Sequence, residues 1–179
     1  MLEKINHWKI EKVYVAMMSF FGLLMVFLTP PIQVPDEPNH LYRIYQIAEG
    51  KFRAPVREFS DEYGKKIYFF SEFPSSLKEL QKIGTGDNDV ILCKNYFSLN
   101  YILEIFSTPL NKNNTTTFDI PNTGSYSFLV YAPQALFVFF AKLFSDSLGA
   151  VFYGARIGAM LFTTFCIFLS IHLLPEKNF

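Results

Sequence analysis

The sequence of 179 residues has no net charge, only two cysteines and a single tryptophan. Sixteen basic residues balance sixteen acidic ones, so the chain lacks the surplus of positive charge that marks a nucleic-acid binder. Neither cysteine has histidine or cysteine neighbours at zinc-ligand spacing, which argues against a cysteine metal site. Aromatic residues are abundant instead, with 21 Phe and 10 Tyr. Disordered chains are poor in aromatics, so this composition excludes disorder.

Charged residues are almost absent from three long apolar stretches, and they are dense between the first two. The stretches cover residues 13–31, 126–144 and 150–174. About 20 apolar residues in a helix cross the hydrocarbon core of a bilayer, so each stretch is predicted to be a transmembrane helix. A cleaved signal peptide is the alternative for the first stretch. It would have a shorter apolar region of about 7–15 residues and a small-residue cleavage site, which this sequence lacks.

Basic residues that flank the apolar stretches predict the orientation. Lys4, Lys9 and Lys12 precede the first stretch, and Lys142 and Arg156 bracket the short segment 145–149. Because cytoplasmic loops carry an excess of Lys and Arg, we expect residues 1–12 and a hairpin at 145–149 in the cytoplasm. The segments 32–125 and 175–179 are then extracytoplasmic, in a multi-pass protein of the cell membrane. The second and third helices are expected to be antiparallel neighbours, and Cys93 and Cys166 lie too far apart for a disulfide.

The loop of residues 32–125 contains signals for short helices and one or two strands. Asp36 is a predicted N-cap, and the helix it opens spans residues 36–49 and ends at Gly50. A capping box at Ser76–Glu79 predicts a second helix that ends at Gly84. Residues 65–70 are strand-like, and residues 94–106 fit either a helix or a strand. The predicted fold is therefore mainly α, an incomplete part of a larger polytopic bundle.

The densest group of polar residues follows the first apolar stretch directly. Asp36, His40 and Arg43 fall on one stripe of a helix at i, i+4 and i+7 and can converge on one ligand. Asp36 can act there as a general base, and with Glu37 and His40 it can hold a divalent metal, although this spacing is a weak metal signal. The alternative is purely structural: Asp36 caps the helix, Glu37 suits its dipole, and the other two are solvated.

Arg156 is the second candidate, because a guanidinium within an apolar stretch is costly without a partner. It either faces a partner within the bundle or extends to the headgroups at the membrane surface. The sequence leaves both possibilities open.

Two segments resemble a known family of membrane proteins, the domain-of-unknown-function family 2142. PPIQVPDEPNHLYRIYQIAEGKF follows a first span, as in that family, and a second block contains the motif YAPQA and the pair AR at Ala155-Arg156. That family is similar to multi-spanning glycosyltransferases of the C-type fold, which take a sugar from a polyprenyl-phosphate carrier. The resemblance implies a catalytic or metal-linked role for Asp36 with Glu37 beside it, His40 nearby, and Arg43 and Arg156 facing phosphate.

The resemblance predicts the first part of a membrane glycosyltransferase-like protein of cell-envelope polysaccharide assembly. Its expected partners are membrane lipid, a lipid-linked sugar donor and a polysaccharide acceptor, with a divalent metal as an open option. The family's enzymes have more spans than this chain, so we expect the 179 residues alone to be inactive. The alternative is a non-catalytic membrane subunit or truncated gene product whose loop binds a partner or a glycan. A transporter is disfavoured, because the spans carry few polar groups.

Overall fold

The computed structural model describes residues 10–174, apart from positions 33, 35, 62–63 and 86–98. Within these residues the chain is mainly helical, with one small antiparallel sheet. In chain order the elements are α1 (Ile10–Leu28), α2 (Glu37–Ala48), β1 (Val56–Asp61), β2 (Gly64–Pro74), α3 (Ser76–Thr85), α4 (Leu99–Ser107), β3 (Thr115–Asp119), α5 (Phe128–Phe144) and α6 (Leu148–His172). Cys93 and the chain ends lie outside the described residues, and so does the prediction made for the cysteine pair.

Two of these helices, α1 and α6, are long and apolar enough to cross a membrane. They have 19 and 25 residues. At 1.5 Å per residue their lengths are about 28 and 37 Å, against a hydrocarbon core of roughly 30 Å. Only 11% of the apolar window of α1 and 17% of that of α6 are buried, whereas the core helix of a soluble protein would be mostly buried. The second predicted span, residues 126–144, corresponds to α5, which has 17 residues and falls short of that length.

The two long helices pack side by side and run in opposite directions. Phe27, near the end of α1, stacks on Tyr153 near the start of α6, with ring centroids 5.1 Å apart. At the other end of the pair, Glu11 of α1 lies 3.6 Å from the His172 ring of α6. The end of α1 and the start of α6 therefore lie together.

α5 and α6 also pack antiparallel, which confirms the prediction made for them. Glycine allows their close approach, because a Cβ at Gly158 would lie 3.0 Å from the backbone of Gln134 and from the Phe137 side chain. A Cβ at Gly154 would likewise lie 3.2 Å from that of Ala141. The motif residues of α5 are thus held directly against α6.

The turn between α5 and α6 packs against the long loop. The Leu110 amide donates to the Asp146 carbonyl (2.6 Å), and the Leu148 amide donates to the Thr108 carbonyl (2.9 Å). Lys112 pairs with the Asp146 carboxylate. The hydrogen bonds join residues 145–149 directly to the loop of residues 32–125, whereas the prediction places a membrane between these two segments.

The loop itself forms a small folded layer around α2. The three strands pair in the order β1-β2-β3, both pairs antiparallel. The predicted strand 65–70 is confirmed within β2, and the predicted helices 36–49 and 76–84 are confirmed as α2 and α3 within one residue at each end. Of the undecided segment 94–106, residues 99–106 are helical and belong to α4, and residues 94–98 lie outside the described residues.

The core of this layer lies between α2 and the sheet. Tyr42 of α2 stacks on Phe118 of β3 at 5.0 Å, and Phe118 stacks on Phe73 of β2 at 5.6 Å. Tyr45, one turn further along α2, also contacts Phe73. Burial raises the pKa of both tyrosines to about 12, because the phenolate would lose its hydration there. α2 is thereby fixed between the sheet on one side and α5 on the other.

Candidate functional site

The site begins with an ion pair between residues that lie 119 positions apart in the sequence. The Arg156 Nε donates to Glu37 Oε1 at 2.8 Å, and its Nη2 donates to Glu37 Oε2 at 3.1 Å. Both side chains are largely buried, with 13% and 15% of their surface exposed. A parallel two-bond contact between guanidinium and carboxylate is the strongest geometry for such a pair. It fixes the start of α2 to α6.

Arg156 also binds the end of α1. Its remaining N–H groups donate to three backbone carbonyls, those of Val26 (2.9 Å), Thr29 (2.6 Å) and Pro30 (3.1 Å). The last carbonyls of a helix have no partner within it, and a basic side chain that binds them also suits the helix dipole. All five N–H groups of Arg156 are therefore used within the protein. The structure gives this residue an anchoring role, and its expected contact with phosphate stays a prediction.

The turn that joins α1 to α2 has an unusual backbone. Ile32 and Asp36 adopt left-handed conformations, with φ of 59° and 61°. Such values cost on the order of 1–3 kcal/mol for residues other than glycine, most for a β-branched residue. Glu37 holds the turn in place, because its Oε2 accepts the Ile32 amide at 2.8 Å. The Glu37–Arg156 pair thus stabilises a conformation that the turn would not adopt alone.

Asp36 stands at the N-cap position of α2, but its side chain makes no cap hydrogen bond. The predicted capping function is therefore wrong, because the left-handed backbone turns the residue away from the usual extended N-cap geometry. The carboxylate is exposed, and no ion pair of Asp36 is present among the residues that the structure describes. It lines a cleft of about 320 Å³ together with Pro38, Asn39, Tyr42, Lys78, Phe118 and Asp119.

His40 points to a different cavity. Its Nδ1 lies 2.8 Å from the Tyr131 hydroxyl of α5. These two side chains, with Glu37, Gln134 and Arg156, supply the polar groups of an otherwise apolar cavity of about 330 Å³ between α2, α5 and α6. Asp36 is absent from this cavity, and His40 is absent from the Asp36 cleft. The predicted convergence of the stripe on one ligand is therefore not found.

Arg43 is buried and faces α5. It donates to Gln46 Oε1, to the Phe52 carbonyl (2.9 Å) and to the Tyr126 carbonyl (3.2 Å). Only 2% of its surface is exposed, and burial lowers the pKa of its guanidinium. Among the described residues no carboxylate pairs with it. Arg43 thus links α2 to the chain before β1 and to the start of α5, away from both cavities.

Of the residues that line this cleft, the sequence patterns predicted only Asp36 as a site residue; Tyr42 and Lys78 are among those they missed. Tyr42 lies within the predicted helix but belongs to no motif that indicates a binding site. Lys78 lies 42 positions from Asp36, so the sequence does not indicate that the two are close. A candidate metal centre is not present either: across the described ranges, no three His, Cys, Asp or Glu side chains are grouped closely enough to hold an ion.

Comparison with known proteins identifies the family. A family described as predicted membrane protein (DUF2142) matches residues 19–178, which include the α1–α2 turn, α5 and α6. The chain belongs to the DUF2142 family. No curated protein and no solved structure matches the chain. Membership of DUF2142, together with two long apolar helices, indicates a membrane protein, and it confirms the family resemblance of the two sequence blocks.

Proposed function

We propose that this DUF2142 chain is the N-terminal part of a membrane glycosyltransferase-like protein, with Asp36 as its reacting carboxylate. The substrate would be a sugar on a polyprenyl-phosphate carrier, used for cell-envelope polysaccharide. The resemblance of the DEPNH segment to membrane glycosyltransferases supports the substrate class. The geometry of the α1–α2 turn supports the choice of residue.

The observation that carries the proposal is the free carboxylate of Asp36 on a strained turn. The carboxylate of an N-cap aspartate normally accepts a hydrogen bond from an amide of the first helical turn, and that of Asp36 does not. Strained backbone persists only where the surrounding structure imposes it, and it is concentrated at active sites and ligand clamps. Here the Glu37–Arg156 pair imposes it. The arrangement keeps one carboxylate available at a fixed place beside the end of a membrane span.

The cleft around Asp36 offers chemistry that fits a sugar phosphate. Tyr42 and Phe118 contribute aromatic surface, and Lys78 contributes a positive charge. Aromatic walls with a few placed polar groups are the usual composition of a small-molecule site. In this arrangement Asp36 takes the proton of the acceptor hydroxyl as general base, and Lys78 faces the phosphate of the donor. Asp36 replaces the predicted pair of catalytic residues, since Glu37 is engaged with Arg156 and acts by positioning.

A second candidate, a non-catalytic subunit that binds glycan, uses the same cleft. The cleft has few groups that could take part in catalysis, which favours this binding role. Besides Asp36, Asp119 and Lys78 are the only charged side chains among the described residues of the cleft wall. The two candidates differ in one respect. The enzyme requires the negative charge of Asp36 for turnover, whereas a binding subunit requires only a polar side chain of similar shape.

The test is Asp36→Asn in cells that express the full-length gene. Asparagine tolerates a left-handed backbone at least as well as aspartate, so the turn should be retained. Loss of a general base typically lowers a rate by about 10²–10⁴-fold, so polysaccharide product should fall by that order at matched protein level. Glu72→Gln, at an exposed position of β2, is the matched control and should leave product unchanged. Product at the wild-type level from the Asp36→Asn protein would refute the enzyme and favour the binding subunit.

A further inference from the structure

α5 has its polar side chains turned toward the protein and its apolar side chains turned outward. Tyr131 contacts His40, and Lys142 pairs with Glu49, so both polar groups face α2. A helix at a water-exposed surface has the opposite arrangement. The outward face of α5 carries no charge and consists of large exposed apolar residues: Leu129, Val130, Leu136, Phe139, Phe140, Leu143 and Phe144. This face is adjacent to the exposed apolar surface of α6, against which α5 packs.

Both ends of α5 are attached to the loop of residues 32–125. Before its start, the Tyr126 carbonyl accepts from Arg43, and the Thr123 hydroxyl donates to the Asn39 carbonyl at 3.0 Å. After its end, the Asp146 carbonyl accepts the Leu110 amide. A helix that crossed the bilayer would have its ends about 30 Å apart on opposite sides, where one loop does not reach both without crossing too.

α2 lies along α5, so if α5 crossed the bilayer, α2 would lie at the same depth in it. The contacts run from His40–Tyr131 to Glu49–Lys142, nearly the length of both helices. α2 carries Arg43, and an arginine at the depth of the bilayer centre is costly and therefore rare. A spanning α5 would therefore draw a polar helix into the hydrocarbon.

Two polar contacts of α6 bound the apolar band that we assign to the membrane. Arg156 binds Glu37 near one end of the α1–α6 pair, and His172 lies beside Glu11 at the other. Sixteen residues of helix separate Arg156 from His172, a rise of about 24 Å that approaches the thickness of a hydrocarbon core. α5 packs on α6 between Gly154 and Gly158, at the level of Arg156. It therefore meets α6 at the edge of this band.

We propose that α5 is a membrane-surface helix that does not cross the bilayer: it runs antiparallel beside the Gly154–Gly158 part of α6 at the membrane edge, and its outward apolar face contacts lipid on the side of the long loop. α1 and α6 then form the two spans of the described region, and the 145–147 turn lies on the same side as residues 108–112. The inference does not depend on the proposed enzyme activity. Its occupant is bilayer lipid, because the apolar face of α5 continues the lipid-facing surface of the adjacent spans.

Single-cysteine labelling tests the side on which each end of α5 lies. In a protein with Cys93 and Cys166 replaced by serine, Asp146→Cys, Asn122→Cys and Lys12→Cys are compared with a membrane-impermeant thiol reagent. The Asp146 side chain is 72% exposed, so it is accessible to the reagent. Each variant is labelled in intact cells and again after permeabilisation. We expect Asp146→Cys and Asn122→Cys to behave alike, either both labelled in intact cells or both only after permeabilisation. Lys12→Cys should show the opposite behaviour. Labelling of Asp146→Cys together with Lys12→Cys, or in neither preparation, would overturn the proposal.

Depth-dependent quenching tests the contact with lipid. Trp8 is replaced by phenylalanine, and a single tryptophan is placed at Leu136 of α5 or at Phe165 of α6, both exposed. The proteins are reconstituted in vesicles whose lipids carry bromine near the headgroup or near the chain end. We expect the Leu136→Trp protein to be quenched mainly by shallow bromine and the Phe165→Trp protein mainly by deep bromine. Equal depth profiles, or no quenching of the Leu136→Trp protein, would contradict a surface helix.

Discussion

Replacing Arg156 by lysine or methionine should separate an anchoring arginine from one that merely extends to the headgroups. The structure gives Arg156 five hydrogen bonds, two to Glu37 and three to the end of α1. Lysine keeps the charge and can reach the headgroups, but it cannot form the planar two-bond contact. An anchoring arginine is therefore sensitive to Arg156→Lys, and a headgroup-facing arginine is not.

The magnitude follows from the partner left behind. Removing one member of a buried pair typically costs about 3–5 kcal/mol, because the other charge stays buried without compensation. We expect Arg156→Met to reach this range, and Arg156→Lys to lose more than half as much. Glu37→Gln should cost about 1–3 kcal/mol, since the amide oxygen still accepts one of the hydrogen bonds. The double variant Glu37→Gln, Arg156→Met should cost at least about 1 kcal/mol less than the sum of the single variants, since two groups in contact are coupled.

The assay is denaturant unfolding of the detergent-solubilised protein, followed by tryptophan fluorescence or protease resistance. Arg57→Met, at an exposed position of β1, is the matched control and should cost well under 1 kcal/mol. The reasoning is refuted if Arg156→Lys is as stable as the wild type. It is also refuted if the two single changes are additive, because Glu37 and Arg156 would then not interact.

Two further predictions concern packing and pH. Gly158→Leu should separate α5 from α6 and destabilise the protein by about 1–3 kcal/mol, because its side chain would meet the Gln134 backbone. The same unfolding assay measures this, with Thr163→Leu at an exposed position of α6 as the control. Burial raises the pKa of Tyr42 and Tyr45 to about 12, against about 10 in the unfolded chain. The stability that they contribute is therefore complete below pH 10 and is lost as the pH rises from 10 through 12. Tyr45→Phe should lose less stability than the wild type over that interval, and an identical loss would show that Tyr45 does not titrate as expected.

The elements that local sequence determines were predictable. The apolar lengths of α1 and α6 are typical of membrane-spanning helices. α2 combines apolar residues at helical spacing with Pro38 in its first turn and Gly50 after its end. The strand at 65–70 follows from β-branched and aromatic residues. In each case the residues that decide the structure are neighbours in the chain.

The placement of α5 was not predictable in the same way. An apolar segment of this length suits a span and a surface helix equally, and the two are separated by contacts to distant parts of the chain, such as residues 108–112. β3 was missed because the polar segment before Asp119 reads as a loop, while its pairing with β2 is a tertiary contact.

The candidate site shows the same division. The residues of the DEPNH segment could be found from their types, but their separation into two cavities depends on the left-handed backbone at Asp36, which no sequence pattern specifies. The partner of Arg156 was also hidden, because Glu37 lies in another part of the chain. The sequence identified a costly arginine without identifying the carboxylate that compensates it.

The central claim is that the free carboxylate of Asp36 performs chemistry. The most direct measurement is the initial rate of sugar transfer from a polyprenyl-phosphate donor in membranes that contain the full-length protein, with donor binding measured in the same membranes. The account predicts that Asp36→Asn lowers the rate by about 10²–10⁴-fold while donor binding changes little, because the amide keeps the shape of the cleft but accepts no proton. A wild-type rate in the Asp36→Asn membranes would contradict it.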